Sequence, residues 1–466
     1  MLDDLKQLIA IKSVEGAAEK NAPFGRALRE ALDWFLAKAK SYGLETGELD
    51  GYCGWAEYGA GKTCIGILCH LDVVPANARE WTNDPFTMTI LNGRAYGRGA
   101  ADDKGPLAAC LHVLKELKET GVPLAHRVRL IAGCNEETGS ACLKRYREYG
   151  EIPVVSIVPD ADFPVINSEK GILHLALDIP ADDAFLADIA GLSGGERPNV
   201  VPDEGRIFLR KTGGLYAAVK AAAGGGAVSD CLLSPAAASR LLTRGIERNG
   251  YSFIESGDLL EIAAKGVAGH AMSPEKADNA LVKLFCLLSV FAPAGGTLSD
   301  LCRLFGAAPT EEAFGLGLSD AQSGAVTASL GIAALSNGTV TLTLDFRLPV
   351  SVTPKTVKEA LRRHCPAGTA VRELRYAPNL YRAADSRLVT TLLDVYRQCT
   401  GDGVTPPVQT GGGTYARELP EALAFGPTFP GAVTNIHNAD ECIEIAALQK
   451  LTEIYRRAII ELDKQY

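Results

Sequence analysis

The sequence predicts an α/β protein: an open, mixed sheet with helices on both faces, interrupted by an inserted α+β domain. Three observations predict it. From residue 60 onward short β-branched or apolar runs alternate with helix-like patterns, the rhythm of a sheet covered on both sides. Near residue 170 the runs become alternating strands with a hairpin signal, and residues 378–466 return to amphipathic helices around a glycine-rich segment. The first domain is therefore expected over residues 1–169 and 378–466, and the insert over 170–377. At roughly 100–200 residues per domain, a chain of 466 residues has room for both.

Taken in order, the opening MLDDLKQLIAIKSVEG puts acids where a signal peptide needs basic residues, so it predicts an amphipathic helix in a cytoplasmic protein. IGILCHLDVV at 65–74 predicts a buried strand, and Leu107, Cys110, Leu111, Leu114 and Leu117 recur at helical spacing over 106–118. RVRLIAGC at 127–134 predicts an alternating strand and VVSIV at 154–158 a short buried one. In the insert, ILHLALDIP (172–180), RIFLRK (206–211) and DLLEIAAKG (258–266) predict half-exposed strands. Asn337-Gly338 between two alternating runs predicts a hairpin with a two-residue turn. Ala221–Ala227, with three glycines, predicts a flexible loop. Thr353 and Pro354 supply a cap and a first-turn proline for VKEALRRH, and SRLVTTLLDVYRQC and LQKLTEIYRRAIIELD predict the closing helices.

Composition excludes several classes. The balance of 47 basic against 56 acidic residues, 47 − 56 = −9, argues against a nucleic-acid partner. Apolar stretches such as LFCLLSVFA at 284–292 fall short of the roughly 18 residues a membrane span needs. The 12 cysteines form no CxxC pair, and Cys69, Cys134 and Cys286 sit inside apolar runs, as buried reduced thiols do.

The candidate chemistry gathers just past the ends of the predicted strands. His70, Glu136-Glu137 and Asp160 follow strands, and Asp102 opens the intervening helix. In open α/β sheets the crevice beyond the strands' carboxyl ends is where ligands bind. Imidazole and carboxylate suit a divalent cation, and a pair of cations needs a bridging carboxylate. Each residue also has a plainer reading. His70 could be a satisfied core histidine, although Asp72 two residues on can orient its ring. Asp102-Asp103 could be a helix N-cap with a first-turn acid, and Asp162 competes with Asp160. Gly97-x-Gly99 lacks the third glycine of a dinucleotide loop, and Cys69 points away from His70 on a strand, which disfavours a thiol nucleophile.

Together the motifs CHLDVVP, GRGAADDKGPLAA, NEETGS, VPDADFPV, GHAMSP, GGGTYAR and FGPTFPG…HNADE resemble those of the co-catalytic di-zinc metallopeptidases that include aminoacylases, desuccinylases and carnosinases. PDADFPV, NVVPD, GGGTYAR and the large insert resemble the PepV-type dipeptidases more than the desuccinylases. The resemblance implies that His70 and Asp160 bind one metal and Glu137 and His437 the other, with Asp102 bridging. It implies Glu136 as general base and acid, Asp72 orienting His70, and a cis Asp102-Asp103 bond. In the insert, the family's lid, it implies His270 as oxyanion donor and Asn199 and Arg347 as substrate contacts, with Arg417 joining the substrate site. On spacing alone His270 could equally cap a helix, Asn199 hold a turn, and Arg347 pair with Asp345 at a strand edge. The segment 221–242 lacks the polar signals of a lid helix. The expected function is hydrolysis of dipeptides with a free carboxylate by a bridging water activated by two divalent ions, Zn or Mn, in a monomer. An N-acyl amino acid deacylase and a metal-free binding protein are the alternatives. His112, His126, His174 and His364 are expected to be structural.

Overall fold

A computed structural model describes residues 1–233, 250–305 and 314–466. Helix α1 (Leu2–Ala10) buries Leu5, Leu8 and Ile9 on one face, and α2 (Arg26–Ser41) precedes the hairpin β1 (Glu45–Leu49) and β2 (Cys53–Tyr58). Then follow β3 (Cys64–His70), α3 (Lys104–Thr120), β4 (Arg127–Gly133), α4 (Ala141–Tyr149), β5 (Val155–Val158) and β6 (Ile166–Glu169). The insert carries β7 (Gly171–Pro180), α5 (Asp183–Asp188), β8 (Ile189–Gly194), β9 (Glu204–Arg210), α6 (Gly214–Ala222), β10 (Tyr251–Ser256) and β11 (Leu259–Lys265). It continues through α7 (Ala280–Leu288), α8 (Gly296–Phe305), β12 (Thr327–Ser336), β13 (Thr339–Leu348), α9 (Pro354–His364) and β14 (Ala370–Ala377). The chain then returns through β15 (Leu380–Tyr381), α10 (Arg387–Thr400), β16 (Val408–Thr410), β17 (Ala422–Ala424) and α11 (Ile445–Gln465). Two compact units result, Met1–Ser168 with Leu380–Tyr466, and Glu169–Asn379.

The first unit is built on a mixed sheet ordered β1-β2-β4-β3-β5-β17-β6-β15, with β16 beside β6. Its centre, β4-β3-β5-β17, is parallel, whereas β2 runs against β4 and β6 against β17. Helices cover both faces, as β2 shows. A Cβ on Gly54 would meet Leu32 and Leu36 of α2, while the next side chain, Trp55, sets its ring edge-on to Tyr146 of α4. That double cover corrects the expectation for β4. Every position of β4 after Arg127 is buried, because a central strand between two helical layers has no solvent face.

Helix α3 starts one residue later than Asp102-Asp103 suggests. Asp103 occupies its N-cap position without capping it; its carboxylate instead accepts the backbone N–H of His70. The first residue of α3, Lys104, is fully buried and donates Nζ to the carbonyls of Leu8 and Ile11 at 2.9 and 2.7 Å. It thereby adds a second donor to two carbonyls at the end of α1 that already accept the N–H groups of Ile11 and Ser13. Burial pushes its ammonium down to about 7.

In the second unit the sheet runs β10-β11-β9-β8-β12-β13-β7-β14. Asn337 and Gly338, both at positive φ, make the two-residue turn between β12 and β13. Thr353 accepts from the N–H of Thr356 and Pro354 opens α9. Helix α7 packs so closely that a Cβ on Gly194 or Gly205 would strike Leu281. Strand β9 alternates in burial as expected, but β7 does not. Its outward His174 and Asp178 lie under cross-strand partners, Asp345 for the first and Thr341 with Arg372 for the second, so polar pairing closes the face that alternation left to solvent. The expected loop 221–227 begins inside α6, with the turn at Gly224 and Gly225. The remainder of 221–242, from residue 234, lies outside the described residues.

No helix among the described residues is long and apolar enough to cross a membrane. All 12 cysteines are free thiols, and every one except Cys365 is buried. Of the histidines set aside as structural, His112 and His126 bond Asp4 and Asp463, and His364 bonds the Ala360 carbonyl.

The contact that ties α1, α2 and α3 together is testable. Asp4 lies 2.9 Å from Lys38 Nζ and 2.9 Å from His112 Nε2 and accepts the Tyr42 hydroxyl. Burial works to raise its pKa, but Tyr42, Lys38 and His112 outweigh it and hold the carboxyl at about 2. The folded value lies below the ordinary 3.8, so the stabilisation is fully present above that range and is lost as pH falls through about 2. Allowing for solvent screening, Asp4→Asn should cost about 1 kcal/mol at neutral pH. In urea denaturation the gap between variant and wild type should close as pH drops from 3.8 toward 2.

Candidate metal centre

The parallel strands deliver their carboxyl ends to one place. His70 is the last residue of β3 and lies in register with Gly133, the last of β4; the Leu71 N–H then bonds the Gly133 carbonyl. Asp160 stands two residues beyond β5. Glu136 and Glu137 occupy the turn between β4 and α4, a turn closed by Asn135, whose carbonyl takes the Ser140 N–H and whose Oδ1 takes that of Ala141. His437 enters from the coil after β17 at φ 64°.

Asp102 joins these segments. Its Oδ1 is 2.8 Å from His70 Nε2 and its Oδ2 2.9 Å from His437 Nε2, so one carboxylate faces both imidazoles. His437 Nε2 also lies 3.1 Å from Glu137 Oε2, and His70 Nε2 lies 3.8 Å from Asp160 Oδ2. Ligand atoms of His70, Glu136 and Asp160 lie within 4.8 Å of one another, as do those of Asp102, Glu137 and His437. The Asp102-Asp103 peptide bond is cis.

Asp72 orients His70 by a route the sequence did not suggest. The ring's Nδ1 donates to the Asp72 backbone carbonyl at 2.9 Å, while the Asp72 carboxylate is 3.6 Å from Nδ1 and accepts the Glu137 N–H at 2.9 Å. A carbonyl can only accept, so Nδ1 carries a proton, and in the neutral ring it is Nε2 that presents a lone pair to the site. Tyr415 was missed by sequence reasoning. It is fully buried, its ring stands edge-on to His70 at 6.2 Å, and its hydroxyl lies 2.9 Å from Cys142 Sγ. A Cβ on Gly133 would fall 2.1 Å from that hydroxyl, so the glycine ending β4 makes room for it. Nothing in GGGTYAR distinguishes this tyrosine from an ordinary core aromatic.

The electrostatics are those of crowded acids. Burial, then the charge of Asp102, pushes Glu137 up to about 7 and Asp160 up to about 6. Burial and the charge of Asp160 push Glu136 well above the carboxylate range. Burial works against charge on both histidines, yet Asp102 with Asp160 raises His70, and Asp102 with Glu137 raises His437 to about 11. The histidines in turn hold Asp102 far below its ordinary value despite burial. The chemistry of this donor set fits two divalent cations. His70 Nε2 and Asp102 Oδ1 are buried with no hydrogen-bond partner although they face each other at 2.8 Å. When all four are ionised, Asp102, Glu136, Glu137 and Asp160 carry −4, which two divalent ions would balance.

The geometry separates Asp160 from its competitor, since Asp162 is exposed in the short strand Ala161–Asp162. Arg417 donates Nη2 to the Gly412 carbonyl at 2.5 Å, and a Cβ on Gly413 would meet its guanidinium at 2.7 Å. That close approach accounts for the glycine there. The remaining candidates belong to the second unit. Val200 pairs with His270 in a two-stranded ladder and the Ala271 N–H bonds the Asn199 carbonyl, so Asn199 and His270 are neighbours. The Met272 N–H donates to His270 Nδ1 at 3.1 Å, which leaves Nε2 as the protonated nitrogen of the neutral ring. Arg347 is not at a strand edge: β13 lies between β12 and β7. It is 3% exposed, and its Nε and Nη2 bond the two oxygens of Asp345 at 2.7 and 2.9 Å.

An open α/β sheet with paired histidines and acids at its strand ends is a hydrolase architecture, and the comparisons say which. The model of peptidase family M20/M25/M40 matches residues 66–461, and the chain belongs to that family of peptide hydrolases. It is 34% identical, over 100% of its own length and 97% of the relative's, to "Putative dipeptidase YtjP" of Bacillus subtilis (strain 168). It is 30% identical to "Putative dipeptidase SAB1611c" of Staphylococcus aureus (strain bovine RF122 / ET3-1), covering 99% of this chain and 97% of that one. Among solved structures, human carnosine dipeptidase 1 superposes with a TM-score of 0.57 at 14% identity, over 99% of this chain and 96% of the other. The dipeptidase Dug1p of Saccharomyces cerevisiae does so at 0.58 and 11%, over 99% and 95%. These likenesses establish the shared fold.

Replacing Asp72 by Ala removes the acceptor of the Glu137 N–H. Competition titration with a chromogenic chelator should show divalent-ion affinity about 10–100-fold weaker.

Proposed function

We propose that this chain is a metal-dependent dipeptidase, with His70, Asp102, Glu137, Asp160 and His437 holding two divalent ions and Asp102 bridging them. The observation that carries the reading is the single Asp102 carboxylate set 2.8 and 2.9 Å from two imidazoles. Such a pair of ions, when bound, would supply Lewis acidity to the scissile carbonyl and would acidify the attacking water. Zinc suits this imidazole–carboxylate set, and manganese is an alternative. The full-length similarity to proteins described as dipeptidases supports peptide substrates over N-acyl amino acids.

Glu136 takes the proton of the attacking water and delivers it to the leaving amine. Burial and the nearby charges of Asp160 and Glu137 raise the proton affinity of Glu136, which favours its holding the proton taken from the water until the amine leaves. Asp72 holds the His70 tautomer and, through the Glu137 N–H, the turn that carries Glu136. The Nε2–H of His270 donates to the oxyanion, Asn199 holds the substrate beside it, and Arg347 and Arg417 supply guanidinium charge for its carboxylate.

Release of amino acids from a dipeptide panel, assayed with and without Zn or Mn after chelation, tests the reading. Cleavage should need the metal, and Glu136→Gln should lower kcat by about 10²–10⁴-fold with two metal equivalents retained. His270→Ala should lower kcat about 100-fold, again without metal loss. Cleavage of N-acetyl or N-succinyl amino acids in place of dipeptides would reassign the enzyme as a deacylase. A chain that binds dipeptides but cleaves nothing under either metal would be a binding protein.

A further inference from the structure

Glu441 has no part in the chemistry above, yet it is the most thoroughly bonded acid beside it. It is fully buried. Its Oε2 accepts Arg98 Nη1 at 2.7 Å and the Gly99 N–H at 3.1 Å, and its Oε1 accepts the N–H groups of Ala101 at 2.9 Å and Asp102 at 3.1 Å. Its own carbonyl takes the Gly97 N–H, and the strand that follows, Cys442–Glu444, pairs with Arg94–Tyr96. Arg98 is 2% exposed and stacks on Trp81 at 5.2 Å. One carboxylate thus organises the whole loop that presents Asp102.

The two candidate metal groups depend on this clamp unequally. On one side, His70 and Asp160 are held by the parallel strands β3 and β5, and His70 is fixed further by Asp103 and Asp72. On the other side, His437 stands in a coil at positive φ with its side chain 43% exposed, and no strand carries it. Its distance to Asp102, a residue over three hundred positions earlier, is set where that coil ends, at Glu441. We propose, building on the two-metal reading, that Glu441 with Arg98 is a positioning pair that sets Asp102 against His437. The pair thereby bears most on the metal held by Asp102, Glu137 and His437, because the other ion, which shares the Asp102 carboxylate, also has His70 and Asp160 fixed by the parallel strands.

Glutamine is nearly isosteric but cannot replace this carboxylate. Two N–H donors converge on each oxygen, so an amide would turn its own N–H₂ against two of them and leave buried donors unsatisfied. Stepwise cobalt(II) titration of the metal-free full chain, followed by d–d absorption and checked by elemental analysis after dialysis, reads the two equivalents separately without using activity. Glu441→Gln should weaken the second equivalent at least tenfold and the first, which also has His70 and Asp160, by a much smaller factor. Arg98→Gln, which removes one donor of four and keeps the carboxylate, should weaken the second equivalent by a smaller factor. Should Glu441→Gln not fold, as judged by circular dichroism, Arg98→Gln decides alone. Two equivalents bound with wild-type affinity, or both weakened equally, would overturn the proposal. Wild type that takes up fewer than two equivalents would instead overturn the two-metal reading on which it rests.

Discussion

Everything at the strand ends follows from one constraint: Asp102 must keep a carboxylate oxygen against each of two histidines that arrive from opposite ends of the chain. Burial first, and then repulsion between acids so close together, raises the pKa values of Glu136, Glu137 and Asp160. A fold tolerates this only if cations offset the charge and if the backbone around Asp102 is pinned so that the acids cannot move apart. The Asp103 carboxylate on the His70 N–H, Lys104 on the end of α1, and Glu441 on the loop amides of Gly99, Ala101 and Asp102 supply that pinning.

The parallel centre of the sheet explains why the site lies where it does. Strands β3, β4 and β5 run parallel; β3 and β4 stop together at His70 and Gly133 and β5 stops slightly earlier, so the residues that follow them share one rim. Small residues maintain that rim. Gly133 admits the Tyr415 hydroxyl beneath His70, and Gly413 admits the Arg417 guanidinium. The result is a site in which the His70 ring is oriented by a backbone carbonyl and Glu136 sits in a turn held by the Asp72 carboxylate.

The second unit shows a different economy of charge. His174, Asp345 and Arg347 form a buried network across β7 and β13, with Asp345 held below its ordinary pKa by Arg347 and His174 against the effect of burial. Burying a lone charge there would be costly, and mutual pairing lets polar side chains cover a strand face. Arg347 is therefore oriented by its own strand. Any carboxylate it meets encounters a guanidinium whose Nε and Nη2 are already committed to Asp345.

Local physics alone determined much of this protein. Helical spacing in 106–118, the Asn337-Gly338 turn and the Thr353-Pro354 start are short-range signals, and each element stands where its residues put it. His70, Glu137 and Asp160 were legible as candidates because strand ends in an α/β sheet converge, and Asp102 because it opens the intervening helix, whereas His437 was named only by the family resemblance. What sequence could not disclose is which face a polar group ends up facing. Alternation suggested half-exposed β4 and β7, but helices on both sides buried the one and cross-strand ion pairs the other. Asp103 carried the composition of a helix cap and became an acceptor for His70; Asp72 was expected to act through its carboxylate and reaches His70 through its carbonyl. Glu441 and Tyr415 were ordinary letters in their motifs. Their roles arise from contacts more than two hundred positions apart, at Asp102 for the one and at Cys142 for the other, and only tertiary packing creates such contacts.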